Sequence, residues 1–514
     1  MTIRRRSRAG ICGKFWPEAL CLPKMFPRRS SICTRKMFSE WPIRSFWTVC
    51  FCFTARKTVR RKRPFEHPGD ATGEIMSVSF QETALPFVEE RYTSFVHPSG
   101  LRVFLSRKDF HSSYALLTVD FGSLYEKSLV NGSPLSLPDG IAHFLEHKMF
   151  DNPDGEDVFL KFSRLGASAN AYTGTDRTCY FFSASENIEE SLEVMMKSLF
   201  SPYFTKANVK KEKGIILQEL KMYLDDPGET ISRALMRAMY EKSRLREDIC
   251  GSISSVKSIS DRELFEAHNT FYLPSNMILS LCGHFDPDRV LAILDRTLPQ
   301  TLFTRPEKKP LEDPLPPQCR KRSDRVYADI TTPVVAIGIK GTPQNALSED
   351  RLKRFNAMSV LASALFSSWG ELVTGLTKDN LIPSDPSYEV VHTGAFSHIL
   401  FSADTYEPKE LIGRFDRLAE KISRQGISEE AFQRGKKVLY ADYLSEFNSA
   451  EGIASLLASD ALEGIDTAKS TESILALRKE EVECLAKDLL TNSRICRVTV
   501  WPLGEKSKHP QKGA

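Results

Sequence analysis

Residues 304–323 read TRPEKKPLEDPLPPQCRKRS, and the division of the chain turns on them. Five prolines and dense charge predict a linker with no regular element. On either side lie two stretches, 76–303 and 324–505, whose patterns run in a similar order. In the first, strands GLRVFL (100–105) and YALLTVDFG (114–122) precede helices around 140–150 and 156–165. A hairpin, SANAYTGTDRTCYFFSA (168–184), comes next. Helices near 188–200, 207–224, 230–242 and 260–270 lead to a closing strand, NMILSLCG (276–283). The second stretch opens with VVAIGIKG (334–341), followed by helices near 347–366 and 369–379 and strands within 387–404. Helices near 408–424, 428–447, 451–462 and 472–490 then lead to RICRVTVW (494–501). Helices run together among hairpins instead of alternating strictly with strands. That order predicts an α+β fold: two duplicated sandwich domains, each an antiparallel-rich sheet with helices packed on it.

Outside these two domains lie a basic extension, 1–75, and a short tail, 506–514. The extension carries 17 Lys and Arg against 5 Asp and Glu, which leaves 53 against 61 in the remainder. The net charge of +4 is therefore set by the extension, and the body is mildly acidic. Beyond residue 75 there is no basic stripe and no recognised nucleic-acid module, so no nucleic-acid partner is expected. The apolar stretch at 46–55 sits too far from the start and lacks a cleavage site for a secretory signal. The expectation for 1–75 is an extension that is disordered or not translated, the latter as upstream sequence read from too early a start with Met76 as the true first residue. An organelle transit segment is the alternative, and it would move the expected location from the cytoplasm to an organelle matrix.

With 41% hydrophobic and 26% charged residues over 514 positions, the composition is that of a globular protein and excludes collagen-like or low-complexity chains. No run approaches the roughly 18 apolar residues of a membrane helix, so no span is expected. Five of the eleven Cys fall in the extension; Cys50 and Cys52 lack metal-site spacing and a second pair. The other six (179, 250, 282, 319, 484 and 496) form no C-x-x-C, which predicts free thiols in a reducing compartment.

The chemistry concentrates in GIAHFLEHKMF (140–150). On a helix each residue advances about 100°, so His143 and His147 stand about 40° apart, and Glu146 falls about 60° to the other side of His143. Ile141 and Leu145 point oppositely, toward a core. Two imidazoles one turn apart can share one zinc, and a neighbouring carboxylate that is not a ligand can take a proton from water: the H-x-x-E-H arrangement. The bland alternative is a solvated helix face with two surface histidines. A catalytic zinc needs a third protein ligand. The segment VKKEKGIILQELKMY (209–223) predicts a helix with Ile216, Leu220 and Tyr223 as its apolar stripe. Glu212 and Glu219 lie two turns apart on one face, so one can bind metal and the other steady an imidazole. Spacing does not choose between them.

GLRVFL, DFGSLYE, GIAHFLEHKMF, GASANAYTGTDRTCYFFSA, VKKEKGIILQEL and HNTFYLPSNMILSLCGHFDPDRV occur here in one order. In that order the chain resembles the pitrilysin/insulinase-type zinc metallopeptidases, or inverzincins, which include the mitochondrial processing peptidases. The wording GIAHFLEHK and GASANA is similar to that of bacterial members, some of them associated with modification of translation elongation factor P. The resemblance implies a zinc metalloendopeptidase. It implies His143, His147 and Glu219 as zinc ligands, Glu146 as general base and Glu212 as a supporting acid. It also implies Asn170, Ala171, Tyr172 and Thr173 as an edge-strand segment that contacts a peptide substrate.

The second half lacks H-x-x-E-H, so the resemblance implies one Zn²⁺ per chain. It further implies an Arg and a Tyr near 375–390, but GLTKDNLIPSDPSYEV has no Arg at that place. Tyr388, His392 and His398 are the candidates to stand in, with structural roles as the alternative. A homodimer, or a heterodimer with a zinc-free homologue, is the implied assembly. A non-proteolytic subunit serving partner binding, assembly or protein modification is the second functional reading.

Overall fold

A computed structural model describes residues 60–62, 79–85, 88–299, 301–311, 316–343 and 348–505. Of the basic extension, only Arg60–Lys62 falls among them, paired as a strand with Ser79–Gln81. The expectations for the rest of the extension and for the tail lie outside the described residues.

The strands of the first half are β1 (Arg60–Lys62), β2 (Ser79–Leu85), β3 (Glu90–Val96), β4 (Arg102–Arg107), β5 (Ser113–Val119), β6 (Lys127–Val130), β7 (Ser133–Ser136), β8 (Ala167–Thr173), β9 (Thr178–Ala184) and β10 (Met277–Gly283). After them come β11 (Lys308–Pro310), β12 (Ser323–Ala328), β13 (Val334–Lys340), β14 (Ser387–His392), β15 (Ser397–Asp404) and β16 (Ile495–Pro502). The first sheet runs β1-β2-β3-β4-β10-β5-β9-β8 and the second β12-β16-β13-β15-β14. In each, the closing strand slots between two earlier ones. β10 is parallel to β4 and antiparallel to β5; β16 is parallel to β12 and antiparallel to β13. Every other pairing is antiparallel. The duplicated α+β architecture is borne out in this shared topology.

The packing, however, ignores the boundary in sequence. Side chains alternate across a strand, and β5 and β10 are buried on both faces. Leu117, Val119, Leu279 and Leu281 point to the core of the first half. Leu116, Ile278 and Cys282 point the other way, onto Ile453, Ala454 and Leu457 of the helix Ala450–Glu463, which belongs in sequence to the second half. The exchange is reciprocal. Ile337 and Ile339 of β13 pack in the second core, while Val334 and Ala336 join Ile231, Leu235 and Met239 of the helix Pro227–Met239 from the first half. Gly338 lies directly against the Met239 sulfur, and any Cβ there would collide with it. Each half thus lends a helix to the other's sheet.

The linker departs from expectation. Lys308–Pro310 forms β11 and pairs with β6, which in turn pairs with β7. β11 is an edge strand, where a proline without a donor is tolerated. The Lys308 side chain is buried, 2.6 Å from Asp120 Oδ1 and over the Tyr125 ring, so a long-range ion pair draws in a segment that local composition marks as irregular. The helix expected at 472–490 is split into Ser470–Ala476 and Lys479–Leu489. The helix Pro287–Thr297 was missed, although Asp286 accepting from Asp288 N and Pro287 at the first position are ordinary start signals.

Candidate active site

The motif helix spans Ile141–Lys148 and buries Ile141, Ala142, Phe144 and Leu145, which turns His143, Glu146 and His147 toward a cavity of about 930 Å³. Facing it is the helix Lys206–Asp225, started by a capping box between Thr205 and Asn208 and anchored through Val209, Ile216 and Leu220. Its two-turn spacing brings Glu212 and Glu219 to the same wall of the cavity.

Glu219 Oε2 lies 3.3 Å from His147 Nε2 and 3.8 Å from His143 Nε2. One ligand atom from each of the three residues falls within 4.8 Å of the others. Tetrahedral zinc with bonds of about 2.0–2.1 Å sets its ligand atoms roughly 3.4 Å apart. The two-imidazole, one-carboxylate set fits that ion in chemistry and in spacing. Glu212 Oε1 is 3.0 Å from His147 Nδ1 and fixes that ring from behind. The Tyr223 hydroxyl donates to Glu219 Oε1 over 2.9 Å, leaving Oε2 for the imidazoles. His143 Nδ1, by contrast, is buried without a partner among the described residues. Thr173 Oγ1 donates to Glu146 Oε2 over 2.6 Å.

The electrostatics follow from this layout. Burial, then the neighbouring His147, pushes His143 down to about 4. Burial also acts against a charged His147, but the hydrogen bonds to Glu212 and Glu219 outweigh it and lift that ring to about 10. The His147 hydrogen bond in turn holds Glu219 down at about 2. Of the two carboxylates, Glu219 lies on the Nε2 side of both rings, where its charge would also face a cation held between them. Burial raises the Glu146 carboxyl above its ordinary value, with the Thr173 hydrogen bond opposing.

A zinc protease of Bacillus subtilis (strain 168), YmfH, itself uncharacterized, is 34% identical over 366 residues, 69% of this chain and 84% of that one. Residues 102–252 match the insulinase (peptidase family M16) model. The chain belongs to the insulinase family.

Residues 258–439 match the family's peptidase M16 inactive domain. The crystal structure of an M16-like peptidase from Alicyclobacillus acidocaldarius superposes with a TM-score of 0.75 at 27% identity, covering 86% of this chain and all of that one. The human mitochondrial-processing peptidase subunit beta is 28% identical over 251 residues, 47% of this chain and 49% of that subunit. These insulinase-family likenesses cover both halves of the body.

The cavity gathers every residue singled out from the sequence in the first half: His143, Glu146, His147, Glu212 and Glu219, with Asn170, Ala171, Tyr172 and Thr173 on β8. Among the described residues β8 is the last strand of its sheet, which leaves one side of its backbone open to another strand. The three stand-in candidates separate. His398 lines the cavity, with Nδ1 2.9 Å from the Tyr240 hydroxyl. Tyr388 packs against Phe366, and His392 Nδ1 bonds Ser397 Oγ at 2.9 Å; neither lines the cavity. Sequence reading missed Tyr223 as a partner of Glu219, although their spacing of four on a helix is the signal for it. It also missed the hydroxyl of Thr173 as a donor to Glu146, which no local pattern announces.

Among the described residues no helix is long and apolar enough to cross a membrane.

Proposed function

We propose that this chain is a zinc-dependent endopeptidase that hydrolyses extended peptide segments. The observation that carries the reading is the convergence of His143, His147 and Glu219, with Glu146 beside them in one cavity. Zinc bound there would polarise the scissile carbonyl and acidify a water molecule. Glu146 accepts that water's proton and returns it to the departing amine. Thr173 aims the Glu146 carboxylate, and burial makes it a stronger base than an exposed one. The open edge of β8 receives the substrate as an added strand bordered by Asn170, Ala171, Tyr172 and Thr173, which delivers its backbone next to Glu146. Glu389, Val391 and His398 on the second sheet also line the cavity. The second half therefore shapes the chamber and leaves the single zinc to the first. A second copy, or a zinc-free homologue, pairs with the chain to complete that chamber, in the cytoplasm.

The test is zinc content and hydrolysis of a mixed peptide library by the full chain and by Glu146→Gln. The expected result is one zinc in both and hydrolysis by the parent alone. A Glu146→Gln chain that cleaves at the parental rate removes Glu146 from the role of base.

A further inference from the structure

The two imidazoles are supported unequally. His147 has Glu212 behind its Nδ1, whereas His143 Nδ1 is buried and has no partner among the described residues, although an imidazole ligand ordinarily has its second nitrogen anchored. With no hydrogen bond to hold that nitrogen, the direction of His143 depends on its packing, edge-to-face with the His147 ring at 4.7 Å, and on the helix that carries it. That helix is gripped at its start. Glu126, fully buried, accepts from Gly140 N at 2.9 Å and Ala142 N at 3.2 Å, which places a carboxylate on the first free donors of the motif helix. Arg244, also buried, pairs with Glu126 Oε2 and donates to Asp139 Oδ1 and to the Ser123 carbonyl, both at 2.9 Å. Gly140 has a φ of 88°, and the Cys250 carbonyl sits where its Cβ would be. Arg244 and Cys250 both belong to the cavity wall.

A buried ion pair of this kind is seldom a source of net stability compared with apolar packing; what it can supply is a fixed position. We infer that the Glu126–Arg244 pair positions His143, doing through the helix start what Glu212 does for His147 by direct contact. His143 is three residues beyond Gly140, within the first turn, so a displaced start displaces it most. His147 lies one turn further on and is held separately. The inference rests on the reading of these histidines as zinc ligands.

The experiment labels the histidine rings of the full chain and records their NMR signals without metal, alongside zinc affinity by competition with a chromophoric chelator. Glu126→Gln and Arg244→Lys are expected to shift or broaden His143 and leave His147 in place; Glu212→Gln is expected to do the reverse. Zinc affinity should fall about 10–100-fold in each. Arg244→Lys keeps the charge and loses the fork, so it decides the matter if Glu126→Gln does not fold. Equal disturbance of both rings, as a merely loosened domain would give, overturns the inference, as does an undisturbed His143. A parent chain that binds no zinc would instead sink the metallopeptidase reading, and the ring signals would still report on the positioning.

Discussion

Thr173 Oγ1 stands 2.6 Å from Glu146 Oε2 and donates to it, so the last residue of the edge strand holds the carboxylate beside the two imidazoles. Peptide docking and proton transfer then share one anchor point. Thr173→Val keeps the shape and removes the donor. A hydrogen bond to a charged group is worth about 1.5–3 kcal/mol, so kcat should fall roughly 10–100-fold with zinc content unchanged. Steady-state rates with metal analysis of the same samples check this. Parental kcat would detach Thr173 from the base.

Glu219 and Glu212 should fail differently. Glu219→Gln removes the carboxylate charge within 3.3 Å of His147 Nε2 and should abolish stoichiometric zinc. Glu212→Gln only loosens the ring from behind and should weaken zinc about 10–100-fold, so that metal returns when excess zinc is added. Metal analysis after dialysis against graded zinc separates them. Equal loss in both would mean that Glu212 binds the ion directly.

Asp460 offers a pH signature away from the site. Its Oδ2 is buried without a partner among the described residues, and burial lifts its pKa from 3.8 to about 7 against a hydrogen bond from Thr467, with Asp466 and Glu463 adding to the rise. The folded pKa exceeds the unfolded one, so the folded chain holds an extra proton between about pH 4 and 7. The contribution is fully present below that window, is lost as pH rises through it, and stays lost above. Asp460→Asn should therefore gain on the order of 4 kcal/mol relative to the parent at pH 8 and little at pH 4. Melting curves of the pair across this range check it; a difference independent of pH would refute it.

The exchanged helices predict shared unfolding. Leu457, 1% exposed, packs on the first sheet from a helix of the second half. Leu457→Ala should cost about 2–5 kcal/mol. Hydrogen exchange should quicken in β5 and β10, more than two hundred residues before the substitution in the case of β5. Exchange that quickened only within the second half would mean that the two halves unfold independently.

Much of this protein was legible without coordinates because its governing interactions are periodic. The H-x-x-E-H spacing places His143, Glu146 and His147 on one side of any helix, and two turns do the same for Glu212 and Glu219. Short, near-continuous apolar runs in β5, β10 and β13 likewise announce strands, here buried on both faces, and the repeated order of elements announces a duplication. Such inferences need only the 3.6-residue and 2-residue periods.

What tertiary structure alone decided are meetings between residues far apart in the chain. Spacing left Glu212 and Glu219 equivalent; packing of two helices put Glu219 near both Nε2 atoms and Glu212 behind one ring. Nothing local told Arg244 to reach Glu126, Lys308 to seek Asp120, or helix Ala450–Glu463 to cross to the first sheet. Local sequence sets which face of an element is apolar or charged. Which other face it meets depends on the whole chain's burial, and that is settled only when every element packs at once.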